Sequence, residues 1–300
     1  MRSIVKKSPI PKSKSFVIQH LQSHYFDPHI HSHPEYQLFY VVEGRGTRFI
    51  GDNIKSFNEG DIVFTGPNLP HLWRSDKEYF DTKTALQTSG IVLYMNEHFL
   101  ADSIGNEEFE KLKSLFDRSL MGIEVTGATN AKLKEMLKAL LQMKGLNSII
   151  QLLNILNLMA DSPDCILLTQ TPLSATPNDK TSTRMNSIYE FVMHNFKSNI
   201  TLASAADLVS MTPTSFSRFF KSRVNKSFSD FVKDVRIDHA CKLLLDENIP
   251  ISQIAFEIGY PTLSNFNKQF KVLKGETPFD YRKKYREINN GFVRELHAAL

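Results

Sequence analysis

The chain has 300 residues, of which 41% are apolar and 23% charged, with a formal net charge of +4. This composition is typical of a globular protein of about two domains and excludes a chain that is disordered throughout. The two cysteines, Cys165 and Cys241, lie far apart, which excludes a disulfide scaffold and a thiolate zinc site. The basic N-terminus has no apolar run behind it, and the most apolar stretch, 148–160, is too short to span a bilayer. We therefore expect a cytoplasmic protein without a membrane segment.

The positive charge is concentrated in the last third of the chain. Residues 184–286 contain 16 Lys and Arg against 10 Asp and Glu, a net charge of +6, which leaves −2 for the rest. Local basicity of this kind is typical of a surface that contacts nucleic acid. A solvated face without any partner would show the same excess, so the charge alone does not decide between the two.

Residues 35–95 predict a series of short strands. The runs EYQLFYVV and GTRFIG are separated by the turn sequence EGRG, and DIVFTG follows a further Glu-Gly pair. Gly and Pro recur at short intervals up to Pro70. Many short strands at this spacing predict a β-barrel or sandwich.

Several polar side chains occur at the start of this strand region. His31, His33 and Gln37 have the same parity, so an extended chain turns all three to one face. His71 follows in the segment GPNLPHLW. The pattern resembles the cupin barrel, in which a His-x-His pair, a later carboxylate and a distant His bind a divalent metal. Here Gln37 stands where the resemblance implies the carboxylate, which weakens the metal-ligand set.

Three interpretations of these groups remain open. They bind a divalent metal, for which histidine clusters are suited; they form hydrogen bonds to a small molecule; or they are polar residues at the mouth of a barrel. A sugar pocket would also need aromatic faces, and its candidates are Tyr36, Tyr40, Arg45, His71 and Trp73. Tyr36 and Tyr40 have the opposite parity to Gln37. We therefore favour a small-molecule site without a metal, formed by His31, His33, Gln37, His71 and Trp73, although Trp73 fits a core position equally well.

The pattern becomes helical after about residue 95. Residues 130–144 place five apolar side chains on one helical stripe, and 147–160 is apolar around most of its surface. A helix of the second kind is usually buried on more than one side. We expect this helical pair to cover the barrel, with a subunit interface as the less favoured alternative.

A linker is predicted between two domains. Residues 161–183 are rich in Pro, Ser, Thr and Asp and show no periodicity. The predicted organisation is a cupin-like domain over 1–160, which contains the small-molecule site and the less favoured subunit interface, then the linker over 161–183, and a helical domain over 184–300.

Two segments of the helical domain repeat at a fixed offset of 50 residues. Residues 216–234 read FSRFFKSRVNKSFSDFVKD, and residues 266–284 read FNKQFKVLKGETPFDYRKK. Phenylalanines, lysines and an aspartate coincide, and Phe231 matches Tyr281. A fixed offset indicates a duplicated structural unit.

Each copy predicts two short helices joined by a tight turn, which is a helix-turn-helix. In the first copy, Thr201 and Thr212 are predicted N-caps, and Pro213 occupies the first turn of the second helix, where proline is tolerated. In the second copy, Gly259 supplies the turn and Thr262 caps the second helix. The one-residue difference between the copies lies in the turn, which is shorter in the first.

The second helix of each copy has an apolar and a polar face. The apolar faces, which we expect to be buried, contain Phe216, Phe219 and Phe220 in the first copy and Leu263, Phe266, Phe270 and Leu273 in the second. The polar faces recur at i, i+3, i+4 and i+7 and consist of Thr214, Ser217, Arg218 and Lys221, and of Ser264, Asn267, Lys268 and Lys271. Hydroxyls, an amide and cations suit base edges and phosphates. Any single surface helix has a polar face, but two matched ones predict that this domain binds DNA.

The segment between the two units, 228–248, predicts one long helix. About 18 helical residues would span about 27 Å, and adjacent major grooves on one face of DNA lie about 34 Å apart. A rigid connecting helix would let one chain place both recognition helices in successive grooves.

Residues 184–286 resemble the DNA-binding domain of AraC/XylS-type transcription regulators. The segment 251–285 contains that family's second-unit signature, namely IA, GY, S-x-F, F-K, G-x-TP and YR. The resemblance implies base contacts from Thr214, Ser217, Arg218, Ser264, Asn267 and Lys268, and we expect phosphate contacts from Lys221 and Lys271. Lys268 stands where Arg is frequent in the family, which makes bidentate reading of a guanine less assured.

Together, the two resemblances imply an α+β chain: a cupin-like β-barrel with a helical pair, then an all-α domain with two helix-turn-helix units joined by a long helix. They imply a transcription activator that is not an enzyme and uses no cofactor. Its partners would be double-stranded DNA, a small-molecule effector such as a carbohydrate, RNA polymerase and a second copy of itself. The alternatives are a metal-dependent cupin enzyme fused to a DNA-binding module, and a regulator whose barrel only mediates dimerisation.

Overall fold

The computed structural model describes residues 10–284 and 286, except 12, 82, 97, 101–103 and 171–178. The chain divides into two compact units, Met1–Asn186 and Ser187–Leu300. Both chain ends and residues 171–178 of the predicted linker lie outside the described residues. Within the described part, no helix has the length and apolar character needed to cross a membrane.

The first unit is built from antiparallel strands and three α-helices among its described residues. The strands are β1 (Phe16–Ser23), β2 (Tyr36–Glu43), β3 (Gly46–Ile50), β4 (Asn53–Phe57), β5 (Ile62–Thr65), β6 (His71–Ser75), β7 (Thr88–Met95), β8 (Ile123–Val125) and β9 (Cys165–Leu167). The helices are α1 (Glu110–Ser119), α2 (Gly127–Leu140) and α3 (Leu146–Ala160). One sheet has the order β1-β7-β2-β5-β8-β9 and the other β4-β3-β6.

The two sheets face each other across an apolar layer. Phe39 and Val41 of β2 pack in one cluster with Ile50, Phe57 and Trp73 of the smaller sheet. Alternate residues of a strand point to opposite faces, so the odd-numbered side chains of β2 point into the barrel. The prediction of a barrel or sandwich over 35–95 is confirmed.

The three helices cover the outer face of the larger sheet. Leu38 and Tyr40, the even-numbered residues of β2, pack in a second cluster with Leu133 of α2 and Ile155 of α3. The predicted cover of the barrel by a helical pair is therefore confirmed. Helix α1 adds a third helix to this layer through Leu115.

The first residues of the predicted linker belong to the barrel unit. Strand β9 pairs with β8, and the carboxylate of Asp164 accepts a hydrogen bond from the Thr129 amide in the first turn of α2 at 3.0 Å. The hydroxyl groups of Thr129 and Ser162 form a further hydrogen bond of 2.6 Å. The linker prediction was wrong for 161–169, because polar residues that look unstructured in sequence here cap a helix and extend a sheet.

The second unit is all-helical within its described residues. Its helices are α4 (Asp179–Asn195, which begins in the first unit), α5 (Leu202–Leu208), α6 (Pro213–Val224), α7 (Phe228–Leu243), α8 (Ile251–Glu257) and α9 (Leu263–Lys274), and a further helical segment covers 278–284. The pairs α5–α6 and α8–α9 are the two predicted helix-turn-helix units.

The predicted long connecting helix is present as α7. It ends at Leu243, about two residues before the end of the predicted helix of about 18 residues. Its 16 residues span about 24 Å at about 1.5 Å per residue. The chain turns after it because the Asp246 side chain accepts a bond from the Asn248 amide at 2.9 Å, and Pro250 then starts α8. This local turn competes with the helical hydrogen bonds.

Candidate functional site

The two recognition helices, α6 and α9, begin and end at equivalent residues. The hydroxyls of Thr212 and Thr262 accept hydrogen bonds from the amides three residues later, both at 3.3 Å. Asn225 and Gly275 end the helices in the left-handed conformation. The predicted caps at Thr212 and Thr262 are confirmed, and these helices correspond at the offset of 50.

The buried faces of the two helices also correspond. Phe220 contacts Phe231 with ring centroids 5.3 Å apart, and the equivalent rings of Phe270 and Tyr281 are 5.5 Å apart. Phe216 and Phe266 are fully buried. The two repeated segments, 216–234 and 266–284, therefore form the same aromatic core contacts twice.

Three residues assigned to these apolar faces are not fully buried. Leu263 and Leu273 are 36% and 41% exposed, and Phe219 is half-buried. Leu263 is the first residue of α9 and Leu273 is the second to last. The apolar core therefore covers the middle of the helix but leaves the side chains at its two ends partly exposed. The prediction that these two leucines are buried was wrong.

The predicted polar stripes are exposed in full. The exposed side chains are Thr214, Ser217, Arg218, Lys221, Ser264, Asn267, Lys268 and Lys271. Among the described residues, none of these side chains takes part in a hydrogen bond or an ion pair. Their contact with DNA stays a prediction, but the two rows of side chains have the same spacing and the same exposure.

Other lysines of this unit pair with carboxylates. The ammonium of Lys226 lies 2.7 Å from Asp234, and that of Lys233 lies 2.9 Å from Asp230. The four cations of the two polar stripes lack such partners in the described part of the chain. They are therefore available to phosphates and base edges without first breaking an intramolecular pair.

Three histidines meet at one end of the barrel. The backbones of His31 and His71 pair with each other through N–H to carbonyl bonds of 3.1 and 2.9 Å, and His33 follows two residues after His31. The ring centroids of His31 and His33 lie 4.5 and 5.0 Å from that of His71. One potential ligand atom from each ring lies within 4.8 Å of the others. The structure thus brings together the histidines that the sequence pattern singled out.

All three rings are held by backbone carbonyls. Nδ1 of His31 lies 2.9 Å from the carbonyl of His29, and Nδ1 of His71 lies 2.7 Å from that of Leu69. Nδ1 of His33 lies 3.1 Å from the carbonyl of Glu35. A carbonyl only accepts hydrogen bonds, so in the neutral rings each Nδ1 carries the hydrogen and each Nε2 presents a lone pair.

Gln37 completes the cluster from β2. Its Oε1 lies 3.1 Å from Nε2 of His33, and its side chain is buried. In the tautomer described above both atoms are acceptors, so a 180° turn of the amide would set its N–H₂ against the ring nitrogen. The Glu35 carboxylate, 3.3 Å from Nδ1 of His33 on the other side of that ring, supports the same tautomer.

The cluster is chemically suited to a divalent metal. Neutral imidazoles are ligands for zinc, copper, iron and nickel, and carbonyl groups bonded to the opposite ring nitrogen are the usual support of a histidine ligand. Gln37 would supply a neutral oxygen. The residues present therefore fit a metal ion, although not with the carboxylate that the cupin resemblance implies.

The sequence candidates for a sugar pocket are only partly brought together. Trp73 is 5% exposed and packs against Phe39, with ring centroids 4.7 Å apart. It is thus a core residue, as one of the two interpretations expected, and it also lies 5.7 Å from the His71 ring. Its indole Nε1 is buried without a hydrogen-bond partner among the described groups. A buried donor of this kind is costly unless a ligand or water accepts from it.

The other aromatic and basic candidates lie elsewhere. Tyr36 packs against Phe116 of α1 at 4.6 Å, and Tyr40 belongs to the core under the helices. Arg45 is exposed beside Asp76 at 3.6 Å. Both tyrosines therefore lie on the face of β2 opposite to Gln37, as strand parity predicted when they were left out of the favoured site. Arg45, a further candidate outside that set, is not brought to the histidines.

Sequence reasoning missed Tyr94. Its ring lies 5.3 Å from the His33 ring, and burial, with the nearby Glu35 charge, raises the pKa of its hydroxyl to about 12. It therefore remains a neutral donor near the histidines. Register places Tyr94 opposite Gln37 on β7, but no motif in the sequence marks that pairing.

A buried ion-pair network holds the small sheet to the larger one. The fully buried Arg48 guanidinium donates to both oxygens of Asp61 at 2.8 and 2.7 Å and lies 3.1 Å from Glu124. Burial raises the pKa of Asp61 against the Arg48 charge. Burial also acts to raise the pKa of Glu124, but Arg48 and Lys55 hold it below its ordinary value. The network is structural, and nothing in the local sequence indicates it.

Comparisons with known proteins match both units to known domains. Residues 17–81 match the cupin domain family, and residues 205–284 match a helix-turn-helix domain family. The HTH-type transcriptional regulator YfiF of Bacillus subtilis is 23% identical over 285 residues, which cover 92% of this chain and 86% of that protein. The Msm operon regulatory protein of Streptococcus mutans is 20% identical over 262 residues, with 85% of each chain covered.

Shorter similarities are restricted to part of each protein. The bifunctional transcriptional activator and DNA repair enzyme AdaA of Bacillus subtilis is 32% identical over 106 residues, which cover 35% of this chain and 50% of that protein. Among solved structures, ToxT of Vibrio cholerae O395 aligns with 89% of this chain at 16% identity and a TM-score of 0.36, which is too low to compare the arrangement of the units.

A cupin domain followed by a helical domain with two helix-turn-helix units defines a DNA-binding transcription regulator. Each family model matches less than half of the chain, and the relatives that align along most of it are 20–23% identical, so the chain is similar to regulators of this kind. The expected fold class is confirmed by the structure, and the matches support the resemblance to AraC-type regulators with an N-terminal cupin domain.

Proposed function

We propose that this regulator reads a two-part DNA site with one chain and that its barrel senses a small polar metabolite. The observation that supports DNA reading is the pair of matched, exposed and unpaired side-chain stripes on α6 and α9. Each stripe has side chains for base edges and a lysine for the phosphates. The site would be asymmetric or directly repeated, because the two helices belong to the same chain and differ in sequence.

Individual contacts follow from the chemistry of the side chains. Arg218 would donate to O6 and N7 of a guanine, which is the commonest specific contact in the major groove. Lys268, at the equivalent place in α9, is a point charge and would discriminate less. Lys221 and Lys271 would contact phosphates, which makes binding dependent on salt.

The first experiment is a selection of duplexes from a random-sequence pool by the full-length protein, followed by fluorescence anisotropy at fixed salt. The selected duplex should bind at least about 10³-fold more tightly than a scrambled duplex of the same composition. Equal affinity for both would contradict a sequence-specific regulator.

The barrel site would bind a neutral molecule rich in hydroxyl groups. The histidine Nε2 atoms accept hydrogen bonds, and the Trp73 indole and the Tyr94 hydroxyl donate them. Hydroxyl groups both donate and accept, so a sugar or related polyol meets both requirements. His31, His33, Gln37, His71 and Trp73 would be its contacts. Bound ligand would then shift the occupancy of the DNA site by favouring one conformation of the chain.

The sensor role is tested by thermal unfolding of the full chain with panels of sugars, sugar acids and divalent metals. A ligand at 100 times its dissociation constant adds about 2.7 kcal/mol of stability. Stabilisation by one sugar would support the proposal, and the absence of any shift would reduce the barrel to a structural platform.

A second copy of the chain would dock on α3. Leu146, at the start of this helix, is 73% exposed, and Ile150 one turn later is also exposed. Substitution of both by Glu should shift sedimentation from dimer to monomer, whereas Asn154→Glu, at another exposed position of α3, should not. An unchanged dimer in the double variant would contradict this interface.

The remaining partners follow from the DNA-binding role. A regulator acts where the DNA is, which we propose is the cytoplasm, and activation would require contact with RNA polymerase. The measurement is transcription in vitro from a promoter with the selected site upstream. More transcript with the protein would support activation, and less transcript would indicate repression.

The histidine cluster supports one alternative, a metal-dependent cupin enzyme fused to the DNA-binding unit. That alternative requires a tightly held metal, together with turnover of a substrate. Metal analysis of the purified full chain distinguishes the two: a stoichiometric ion that survives dialysis against a weak chelator favours the enzyme. A metal-free protein that still responds to a sugar favours the sensor, which is not an enzyme and needs no cofactor.

A further inference from the structure

Arg236, in the middle of α7, holds the chain at the entrance to the first helix-turn-helix unit. Its Nε donates to the carbonyl of Phe196 at 2.7 Å, and its Nη2 donates to the carbonyl of Ser198 at 2.7 Å. Both carbonyls lie in the segment between the end of α4 and Thr201, the N-cap of α5. The planar guanidinium is suited to two acceptors at once.

The same guanidinium contacts the turn of the second helix-turn-helix unit. Its Cζ lies 5.7 Å from the ring centroid of Tyr260, which is within the range of a cation–π interaction. Tyr260 is buried, and its ring lies 5.6 Å from that of Phe266 in α9. Arg236 therefore touches the start of one unit and the turn of the other.

The turn of the second helix-turn-helix unit also lies directly against the segment that precedes the first one. A Cβ atom on Gly259 would be 2.6 Å from the carbonyl oxygen of Lys197 and 3.0 Å from Nη2 of Arg236. The ammonium of Lys197 forms a 2.8 Å ion pair with Glu257, at the end of α8. The equivalent turn residue of the first helix-turn-helix unit, Ser210, is exposed. Among the described residues, the second turn therefore makes a contact that the first turn does not, and this contact joins the two helix-turn-helix units.

We propose that Arg236 is a positioning residue for DNA binding, which fixes the orientation of α9 relative to α6 so that both recognition helices engage the duplex together. The inference rests on the proposed two-groove function. Once the first helix is bound, a rigidly held second helix binds as an intramolecular event with a high effective concentration. A loosely held one gains less and tolerates more variation in the distance between the half-sites.

The test compares affinities for half and complete sites. The probes are the duplex selected by the wild-type protein, two versions with one or the other half scrambled, and one with a single base pair inserted between the halves. The variant Arg236→Gln removes the fork of donors. Arg236→Lys keeps the charge, but a single ammonium does not reproduce the two parallel bonds.

The matched control is Arg282→Gln. Arg282 donates to the carbonyls of Leu244 and Ile249 at 3.1 and 2.8 Å. This is also a pair of hydrogen bonds from one guanidinium to two carbonyls, but both carbonyls lie between α7 and the second helix-turn-helix unit. Melting curves by circular dichroism establish that all variants are folded at the assay temperature.

With Arg236→Gln, affinity for the complete site should fall by about 10-fold or more. Affinity for each half-site should change by less than about 3-fold. The inserted base pair should weaken the binding of this variant less than it weakens the binding of the wild type. Arg282→Gln should keep the wild-type ratio of complete-site to half-site affinity. Equal losses on half and complete sites, or an unchanged ratio, would overturn the positioning role. A wild-type protein that binds half and complete sites equally would overturn the two-groove function itself, and the inference with it.

Discussion

Ser210 and Gly259 occupy the same place in the two helix-turn-helix turns, and both have a positive φ, of 55° and 87°. The residue after each donates its amide hydrogen back to the preceding helix, to Ala206 at 2.9 Å and to Ala255 at 3.0 Å. This is the hydrogen bond of a left-handed helix end. One turn is exposed and accepts serine, whereas the other lies against Lys197 and has no room for a side chain.

Substitution at the second turn should therefore be far more harmful than at the first. Gly259→Ala forces a β-carbon into the left-handed region and against the Lys197 carbonyl, so we expect a loss of more than about 1–2 kcal/mol of unfolding free energy. Ser210→Ala adds no new contact and should change stability by less than about 0.5 kcal/mol. Urea unfolding of the full chain, followed by circular dichroism, measures both. Similar losses for the two variants would show that the contact with Lys197 is unimportant.

Two cations on α6 should differ in their effect on DNA binding. Arg218→Ala should lower affinity for the selected duplex by about 1–3 kcal/mol and leave binding to random DNA nearly unchanged, because it removes a base contact. Lys221→Ala should weaken both and reduce the salt slope by about 1, because it removes a phosphate contact. Anisotropy titrations at several salt concentrations separate these outcomes. If Arg218→Ala lost affinity equally on random DNA, its contact would be only to the phosphates.

Acid should weaken the link between Asp164 and α2. Bonds from the Thr129 amide and side chain lower the pKa of Asp164. A carboxylate with a lowered pKa in the folded state stabilises it above the ordinary pKa, and that stabilisation is lost as the pH falls through the folded pKa. The wild-type midpoint of barrel unfolding should therefore fall more steeply in acid than that of Asp164→Asn. Calorimetry between pH 7 and pH 2 compares the two; parallel curves would exclude a contribution from this carboxylate.

Loss of one histidine should abolish the response of the barrel to its ligand. His71→Ala removes one of the three clustered imidazoles, so the rise in unfolding temperature caused by the active sugar or metal should disappear. His24→Ala, at an exposed position outside the cluster, should keep the full rise. Thermal unfolding with and without the ligand checks both. A response retained in His71→Ala would place the ligand elsewhere.

Local rules are enough to predict the helix-turn-helix units. Caps at Thr201, Thr212 and Thr262 are decided by hydrogen bonds within three residues, and the aromatic repeat reports the core directly. The same rules failed where distant segments decide the outcome. The segment 161–169 looked like a linker because its partners, Thr129 and β8, lie more than 30 residues away along the chain.

In the barrel site, too, features decided within one strand were predicted and features decided between strands were not. Strand parity predicted that Gln37 faces the histidines and that Tyr36 does not, because parity is a property of one strand. The cross-strand neighbour Tyr94 and the ion-pair network around Arg48 depend on register between strands, which a single sequence without a turn motif does not specify.

The central claim, that one chain reads two adjacent grooves with two different helices, is tested most directly by a missing-contact footprint on the selected duplex. Guanines and adenines are removed one at a time, and the positions needed for binding are compared for the wild type, Arg218→Ala and Lys268→Ala. We predict two patches of required bases about one helical turn apart. Removal of bases in one patch should no longer affect binding by Arg218→Ala, and removal of bases in the other patch should no longer affect binding by Lys268→Ala. A single required patch, or the same patch lost in both variants, would contradict the account.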